Sequence, residues 1–170
     1  QGKLYAAILS GMSIPGMPAI PKPEDCVLTA ISARNESCRE QIEAMGVRYF
    51  QNWQDLVASD ACDAVVITVP HFAHHEIAIG ALNAGKHVLC EKAITLNSDE
   101  LNKAVALASE KNLILAEAMT IYNMPLYTEL EKIINSGELG EFRLAQVNFG
   151  SFKEYDMTNR FFNMDLAGGA

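Results

Sequence analysis

The sequence predicts an α/β protein with a doubly wound parallel sheet, followed by the beginning of a smaller α+β domain. Short apolar runs alternate along the chain with stretches of helical spacing, which is the rhythm of β-α-β units. One run, His87 to Cys90, is apolar enough for a strand that is covered on both faces. The pattern changes near residue 120, so we expect one domain over residues 1–120 and the start of another over 121–170.

The apolar runs and turn residues predict each element in order. Strands are expected at Leu4–Leu9, Val27–Ile31, Val47–Phe50, Ala64–Val69, His87–Cys90 and Leu113–Ala116. Helices are expected at Glu36–Met45, Trp53–Ser59, Phe72–Ala84 and Ser98–Lys111, with Ser98 as the N-cap of the last. In the second domain, Pro125 begins a helix that runs to about Asn135, and Phe142–Phe149 alternates as a half-buried strand does.

A strand at Leu4–Leu9 would lead into a phosphate-binding loop formed by Ser10, Gly11 and Met12. The pattern G-x-G-x-x-G/A lets the pyrophosphate approach a helix N-terminus closely, but this segment has only Gly11 and Gly16. Prolines also make a continuous helix from residue 14 to 22 unfavourable, because each removes an amide donor and clashes with the preceding turn. They are Pro15, Pro18, Pro21 and Pro23.

Glu91 and Lys92 directly follow the strand at His87–Cys90, where open parallel sheets bind their ligands. A lysine in a crevice can act as a proton donor or acceptor at a hydroxyl or carbonyl group. The structural alternative for Lys92 is a salt bridge to a neighbouring carboxylate.

Arg34 follows the second predicted strand, where an arginine can accommodate the 2′-phosphate of NADP and an acidic residue would select NAD. The alternative is a solvated arginine that precedes a helix.

Histidines at positions 71, 74 and 75 would share one helical face beside Glu76, and such spacing can bind zinc. The order H-x-x-H-H-E is not the pattern of a zinc hydrolase, so we predict no metal site.

Composition narrows the class of protein. The chain has 170 residues and a formal net charge of −8, which argues against a nucleic-acid partner. It contains no apolar run long enough to span a membrane and no signal-peptide pattern, so we expect a cytoplasmic protein. Four cysteines without C-x-x-C spacing are expected to be buried, reduced thiols.

Three segments together resemble the Gfo/Idh/MocA family of nicotinamide-dependent oxidoreductases. They are AGKHVLCEKAIT at 84–95, DAVVITVPHFAHHEIAIGAL at 63–82, and LILAEAMTIYNMPLYTELEKIINSGELGEFRLAQVNFG at 113–150, with NRFFNMDLAGGA at 159–170 as a further piece. The resemblance covers about residues 27 to 170. Ala93 stands where most members have proline, as in the EKA-type members that resemble dihydrodiol and aldose dehydrogenases.

The resemblance implies an enzyme that uses NADP or NAD to move a hydride to or from a sugar, polyol or diol. It implies that Lys92 acts on the substrate oxygen and that Glu91 orients this oxygen and contacts the cofactor. His74 with Pro70, and beside them Val69 and His71, would line the nicotinamide end.

The resemblance also implies a Rossmann-like first domain, a second domain with an open antiparallel sheet, and a homodimer or a higher homo-oligomer. Members of the family are considerably longer than this chain, so we expect it to be a fragment of a longer dehydrogenase. The alternative is a catalytically inactive fragment or scaffold of the same fold that binds no dinucleotide.

Overall fold

The computed structural model describes residues 1–18 and 20–148, together with Gly150 and Phe152. The chain divides into two units, Gln1–Glu117 and Ala118–Ala170. The helices are α1 (Gly2–Ser10), α2 (Arg39–Ala44), α3 (Trp53–Ala58), α4 (His74–Asn83), α5 (Ser98–Glu110) and α6 (Pro125–Ser136). The strands are β1 (Ala30–Ser32), β2 (Arg48–Phe50), β3 (Ala64–Ile67), β4 (His87–Cys90) and β5 (Leu115–Glu117).

The strands of the first unit are parallel, as the alternation of runs predicted. β1 pairs with β2, and β4 lies between β3 and β5 in a three-stranded sheet. Each connection between consecutive strands passes through a helix, because parallel neighbours cannot be joined by a tight turn. The parallel α/β prediction is therefore confirmed.

The predicted strand at Leu4–Leu9 is wrong, because this run lies within helix α1. Short apolar runs do not distinguish a buried strand from a helix, and Ala6 and Ala7 favour the helix. The end of α1 is marked by Gly11, whose φ of 71° places it in the left-handed region that closes helices. No further helix occurs between Gly11 and β1 in the described residues, as the four prolines of this segment predicted.

The N-cap of α5 and the segment at residues 142–148 also differ from the sequence predictions. Asn97, and not Ser98, is the N-cap of α5, since its side chain accepts a hydrogen bond from the Glu100 amide at 2.9 Å. The strand expected at Phe142–Phe149 is not formed by residues 142–148, which pair with no strand in the described part of the chain. Phe149 and the NRFFNMDLAGGA segment lie outside the described residues.

The core of the first unit lies where α4 packs on β3 and β4. α4 buries one face along its length, and β4 buries Val88 and Cys90. The cluster contains Leu56, Val57, Ile67, Ile77, Ala78, Ala81, Leu82, Val88, Cys90, Ile94 and Ala108. Among the described residues, no helix is both long and apolar enough to cross a membrane.

All four cysteines are free thiols, as expected, but they are not all buried. Cys90 is fully buried and Cys26 is exposed. Burial, followed by the negative charges of Glu117 and Glu91, raises the pKa of the Cys90 thiol to about 12. Both carboxylates therefore act on the same end of β4.

Gly80 marks a close approach between α4 and α3. A Cβ atom there would lie 2.4 and 2.6 Å from two ring carbons of Trp53. We expect Gly80→Ala to lower the free energy of unfolding by about 1–3 kcal/mol, as overpacked cores do. Urea unfolding measures the change. In a Trp53→Leu background the same substitution should be neutral or stabilising by about 0.5–1 kcal/mol, since alanine favours a helix. Equal penalties in both backgrounds would contradict this contact.

The burial of Cys90 predicts that its thiol reacts slowly in the native protein. Because only the thiolate is nucleophilic, a pKa of about 12 leaves about one thiolate in 10⁴ at pH 8. We expect iodoacetamide to alkylate the exposed Cys26 in the native protein while Cys90 stays unmodified, and peptide mass spectrometry would measure both. In urea the two should react alike. Rapid native labelling of Cys90 would contradict its placement in the core.

Candidate functional site

The carboxyl ends of β3, β4 and β5 bring the candidate residues together. Cys90 lies opposite Ile67 on one side and Glu117 on the other. The backbone amide of Glu91 donates to the carbonyl of Ile67 at 2.9 Å, which extends the β3–β4 pairing to the first residue of the charged pair. The loops that follow β3 and β4 therefore leave the sheet side by side.

Lys92 is exposed on this edge. In the described part of the chain, its ammonium group forms no salt bridge or hydrogen bond, so the structural alternative of an ion pair has no partner there. Its neighbours in the loop are more restricted, since Glu91 is half-buried and Ile94 is buried. The structure thus presents a free lysine side chain on a fixed segment of backbone.

Glu91 is held by a residue that the sequence analysis did not identify. The Tyr5 hydroxyl of α1 donates to Glu91 Oε1 at 3.0 Å. Burial, then this hydrogen bond and the negative charge of Glu91, raise the pKa of Tyr5. The tyrosine therefore remains a neutral donor at physiological pH. Its role was missed because Leu4–Leu9 was interpreted as a strand.

His74 is completely buried, and both of its ring nitrogens face backbone carbonyl groups. Nδ1 lies 2.7 Å from the carbonyl oxygen of Ala93, and Nε2 lies 2.8 Å from that of Val69. His74 therefore connects the loop after β3 to the loop after β4. Its polar contacts are with the protein backbone, which differs from the exposed ring that a direct contact with nicotinamide would require.

Glu117 is a second residue of the site that the sequence analysis did not identify. It ends β5, and its Oε1 accepts a hydrogen bond from the Ile94 amide at 2.9 Å. A signal was present, because Glu117 ends an apolar run at a strand's carboxyl end, as Glu91 does.

The residues after β3 form a short turn beside His74. Pro70 precedes a 3₁₀ turn at His71–Ala73, and the rings of His71 and His74 meet edge to face with centroids 5.5 Å apart. Val69 is partly exposed at the same edge. These positions leave Val69, Pro70 and His71 beside the Glu91 loop, and their contact with a nicotinamide stays a prediction.

The predicted phosphate loop does not have the expected structure. Ser10 ends α1, and the amides of Gly11 and Met12 donate to the carbonyls of Ile8 and Ala7. These donors are already used in closing the helix, and this end of α1 carries the negative pole of its dipole. The opposite end approaches the exit of β3, where a Cβ at Gly2 would lie 3.0 Å from Thr68 Oγ1.

Arg34 is exposed just after β1, and it makes no hydrogen bond or ion pair with the residues that the structure describes. Its neighbour Asn35 caps the following 3₁₀ turn by accepting from the Ser37 amide at 3.0 Å. The nearby Arg39 is engaged differently, since it lies over the Tyr49 ring at 4.8 Å. The contact of Arg34 with the adenosine end of a dinucleotide therefore stays a prediction.

The first half of the AGKHVLCEK motif is structural. Lys86 Nζ donates to the carbonyls of Ser59 and Cys62 at 3.1 and 2.7 Å, which fixes the loop between α3 and β3. His87 Nδ1 accepts from the Ile114 amide at 2.9 Å and so helps to align β5. Only Glu91 and Lys92 of this motif reach the candidate site.

The chain is similar to a known protein family and to several known sequences and structures. The family model described as "Oxidoreductase family, NAD-binding Rossmann fold" matches residues 16–119, which is more than half of the chain. A D-xylose 1-dehydrogenase (NADP(+)) from Hypocrea jecorina is 34% identical over 148 residues, covering 82% of this chain and 38% of that protein. A trans-1,2-dihydrobenzene-1,2-diol dehydrogenase from Oryctolagus cuniculus is 29% identical over 147 residues, covering 85% and 44%.

A solved structure gives the same result. A 3-ketoreductase from Actinomadura kijaniata, in complex with TDP-benzene and NADP, superposes with a TM-score of 0.60 at 30% identity, covering 68% of this chain and 37% of that one. The chain spans less than half the length of these curated relatives. With the family match over residues 16–119 and the parallel sheet just described, the chain belongs to the Gfo/Idh/MocA oxidoreductase family, with its NAD-binding Rossmann fold.

Proposed function

We propose that the protein is an NAD(P)-dependent oxidoreductase that interconverts a hydroxyl and a carbonyl group on a sugar, polyol or diol. The observation that carries this proposal is Lys92, which projects from a fixed loop at the carboxyl edge of the sheet without a partner among the described residues. Family membership supplies the reaction class, and the relatives named for xylose and dihydrodiol oxidation support the substrate class.

Lys92 is the proton-transfer residue in this proposal. In the reducing direction its ammonium group donates a proton to the oxygen of the carbonyl, which becomes the hydroxyl. In the oxidising direction the neutral amine accepts the hydroxyl proton as the carbonyl forms. A lysine suits both steps because its ammonium group can lose a proton and regain it, whereas an arginine stays protonated.

The site has groups that fit a nicotinamide dinucleotide. Glu91 Oε1 is held by Tyr5, and Oε2 makes no hydrogen bond with the described residues, so it can accept one from a ribose hydroxyl. Val69, Pro70 and His71 would lie along the nicotinamide end, and Arg34 would face the 2′-phosphate. The bound nicotinamide supplies or accepts the hydride, and the protein supplies placement and electrostatics.

Assembly into a homodimer remains part of the proposal. In the second unit, α6 exposes apolar side chains on one face, with Leu126 70%, Leu130 43% and Ile133 44% exposed. A second copy of the protein would bury such a face.

Replacing Lys92 tests the role of its ammonium group. We expect Lys92→Ala to lower kcat by about 10²–10⁴-fold, the usual contribution of general acid–base catalysis, and Lys92→Arg to fail as well. Turnover is followed by NADPH absorbance with xylose, inositol and dihydrodiol substrates, and NADPH affinity by fluorescence. The control is Lys103→Ala, a variant at an exposed position of α5, which should turn over normally.

Two results would contradict the enzyme proposal. Normal turnover by Lys92→Ala would remove the lysine from the reaction. Failure of the unaltered protein to bind NADPH or NADH would favour the alternative that it is a scaffold of the same fold.

Replacing Arg34 tests the preference between the two cofactors. We expect Arg34→Ala to raise the Kd for NADPH by about tenfold or more, because a charge-assisted hydrogen bond to the 2′-phosphate is lost. The Kd for NADH should not change, and isothermal titration calorimetry measures both. Arg48→Ala is the control, since Arg48 begins β2 and pairs with Asp60 at the amino end of this two-stranded sheet, whereas Arg34 follows its carboxyl end. Equal losses for both nucleotides would refute the 2′-phosphate contact.

A further inference from the structure

The peptide group between Ala93 and Ile94, one residue beyond Lys92, is held at both of its polar ends. His74 Nδ1 lies 2.7 Å from its carbonyl oxygen, and Glu117 Oε1 accepts from its N–H at 2.9 Å. His74 comes from α4 and Glu117 from β5, so two separate elements fix one peptide plane.

The contacts of His74 point to the number of ring N–H groups that it carries. Carbonyl oxygens only accept hydrogen bonds, and a neutral imidazole has a single N–H to donate. Both ring nitrogens face carbonyl oxygens at 2.7 and 2.8 Å, and the ring has no exposed surface at which water could replace either partner. Both contacts are hydrogen bonds only if His74 is an imidazolium.

The charges are arranged favourably around this peptide. The imidazolium lies at the negative, oxygen end of the peptide dipole, and the Glu117 carboxylate lies at the positive, N–H end. A buried charge is tolerated when hydrogen-bonded groups and an opposite charge compensate it. Here two carbonyl oxygens and the carboxylate across the peptide provide that compensation.

We propose that His74, as an imidazolium, and Glu117, as a carboxylate, are positioning residues that orient Lys92 through the Ala93–Ile94 peptide. This inference rests on the proposed role of Lys92 in proton transfer. In the described part of the chain, the Lys92 side chain has no hydrogen bond or ion pair that would fix it, so its placement depends on the backbone beside it. Bonds at both ends of the peptide prevent that plane from rotating.

The protonation state can be measured without substrate or cofactor. The protein would be labelled with ¹⁵N-histidine and compared at pH 7 with its His74→Gln variant, which identifies the His74 signals among those of four histidines. We expect two ring N–H correlations for His74. A single ring N–H would overturn the imidazolium, whatever the fate of the proposed enzyme activity.

The role of Glu117 is tested by two variants that differ in one property. Gln retains an oxygen that can accept from the Ile94 amide, whereas Leu does not. We expect Glu117→Leu to lower kcat by about 10–100-fold with little change in the Kd for NADPH, as misplacement of a catalytic group does. Glu117→Gln should have a kcat between those of Glu117→Leu and the unaltered protein.

A matched control binds an amide of the same loop from α5. Glu100 Oε2 also accepts from a backbone amide, that of Leu96 at 3.3 Å, but farther from Lys92 along the chain. Glu100→Leu should leave kcat unchanged. If Glu117→Leu folds and turns over like the unaltered protein, Glu117 has no positioning role.

A folding defect would not leave the proposal untested. In Glu117→Gln, the Ile94 amide proton should move upfield in the NMR spectrum, because a neutral acceptor replaces a carboxylate. An unchanged shift would show that no such bond exists. If Lys92→Ala itself turned over normally, the proposed function would fail, while the two NMR results would still decide the peptide contacts.

Discussion

The site depends on the register of β4 between β3 and β5. With Cys90 opposite both Ile67 and Glu117, the three strands end at the same level, and the residues that follow them emerge together. A shift by one residue would move Glu117 away from the Ile94 amide and send alternate side chains to the wrong face. His87 and Lys86 support this register from within the same motif, through Ile114 and the loop before β3.

Much of this framework could be predicted from local sequence. The strand at His87–Cys90 was predicted with its observed bounds, since apolar residues here lie between a helix-ending Gly85 and a charged pair. The run at Leu4–Leu9 was predicted wrongly, because its length and composition suit either a strand or a helix. Gly11 is the residue that indicates a helix, because a glycine directly after the run fits the left-handed conformation that closes a helix.

The residues that hold the site were harder to predict than those that form it. Lys92 and Glu91 are visible because they are charged and follow a buried strand. Tyr5 could not be found in this way, since it contacts Glu91 across 86 residues of sequence and only the folded chain brings them together. His74 was identified from the sequence, but its two contacts with carbonyl groups could not be predicted, because they depend on the paths of the loops after β3 and β4.

The residues of AGKHVLCEK have different roles, and this difference helps to decide between an enzyme and a scaffold. Lys86 and His87 bind backbone groups inside the domain, so a non-catalytic protein would need them as much as an enzyme does. A scaffold would not need an exposed lysine flanked by a carboxylate that Tyr5 holds and a peptide that His74 and Glu117 hold. Burying His74 and ordering these groups costs free energy, and all of these groups hold the segment that presents Lys92. Side chains that are locked by neighbouring hydrogen bonds are characteristic of functional sites, so this arrangement favours the enzyme over the scaffold.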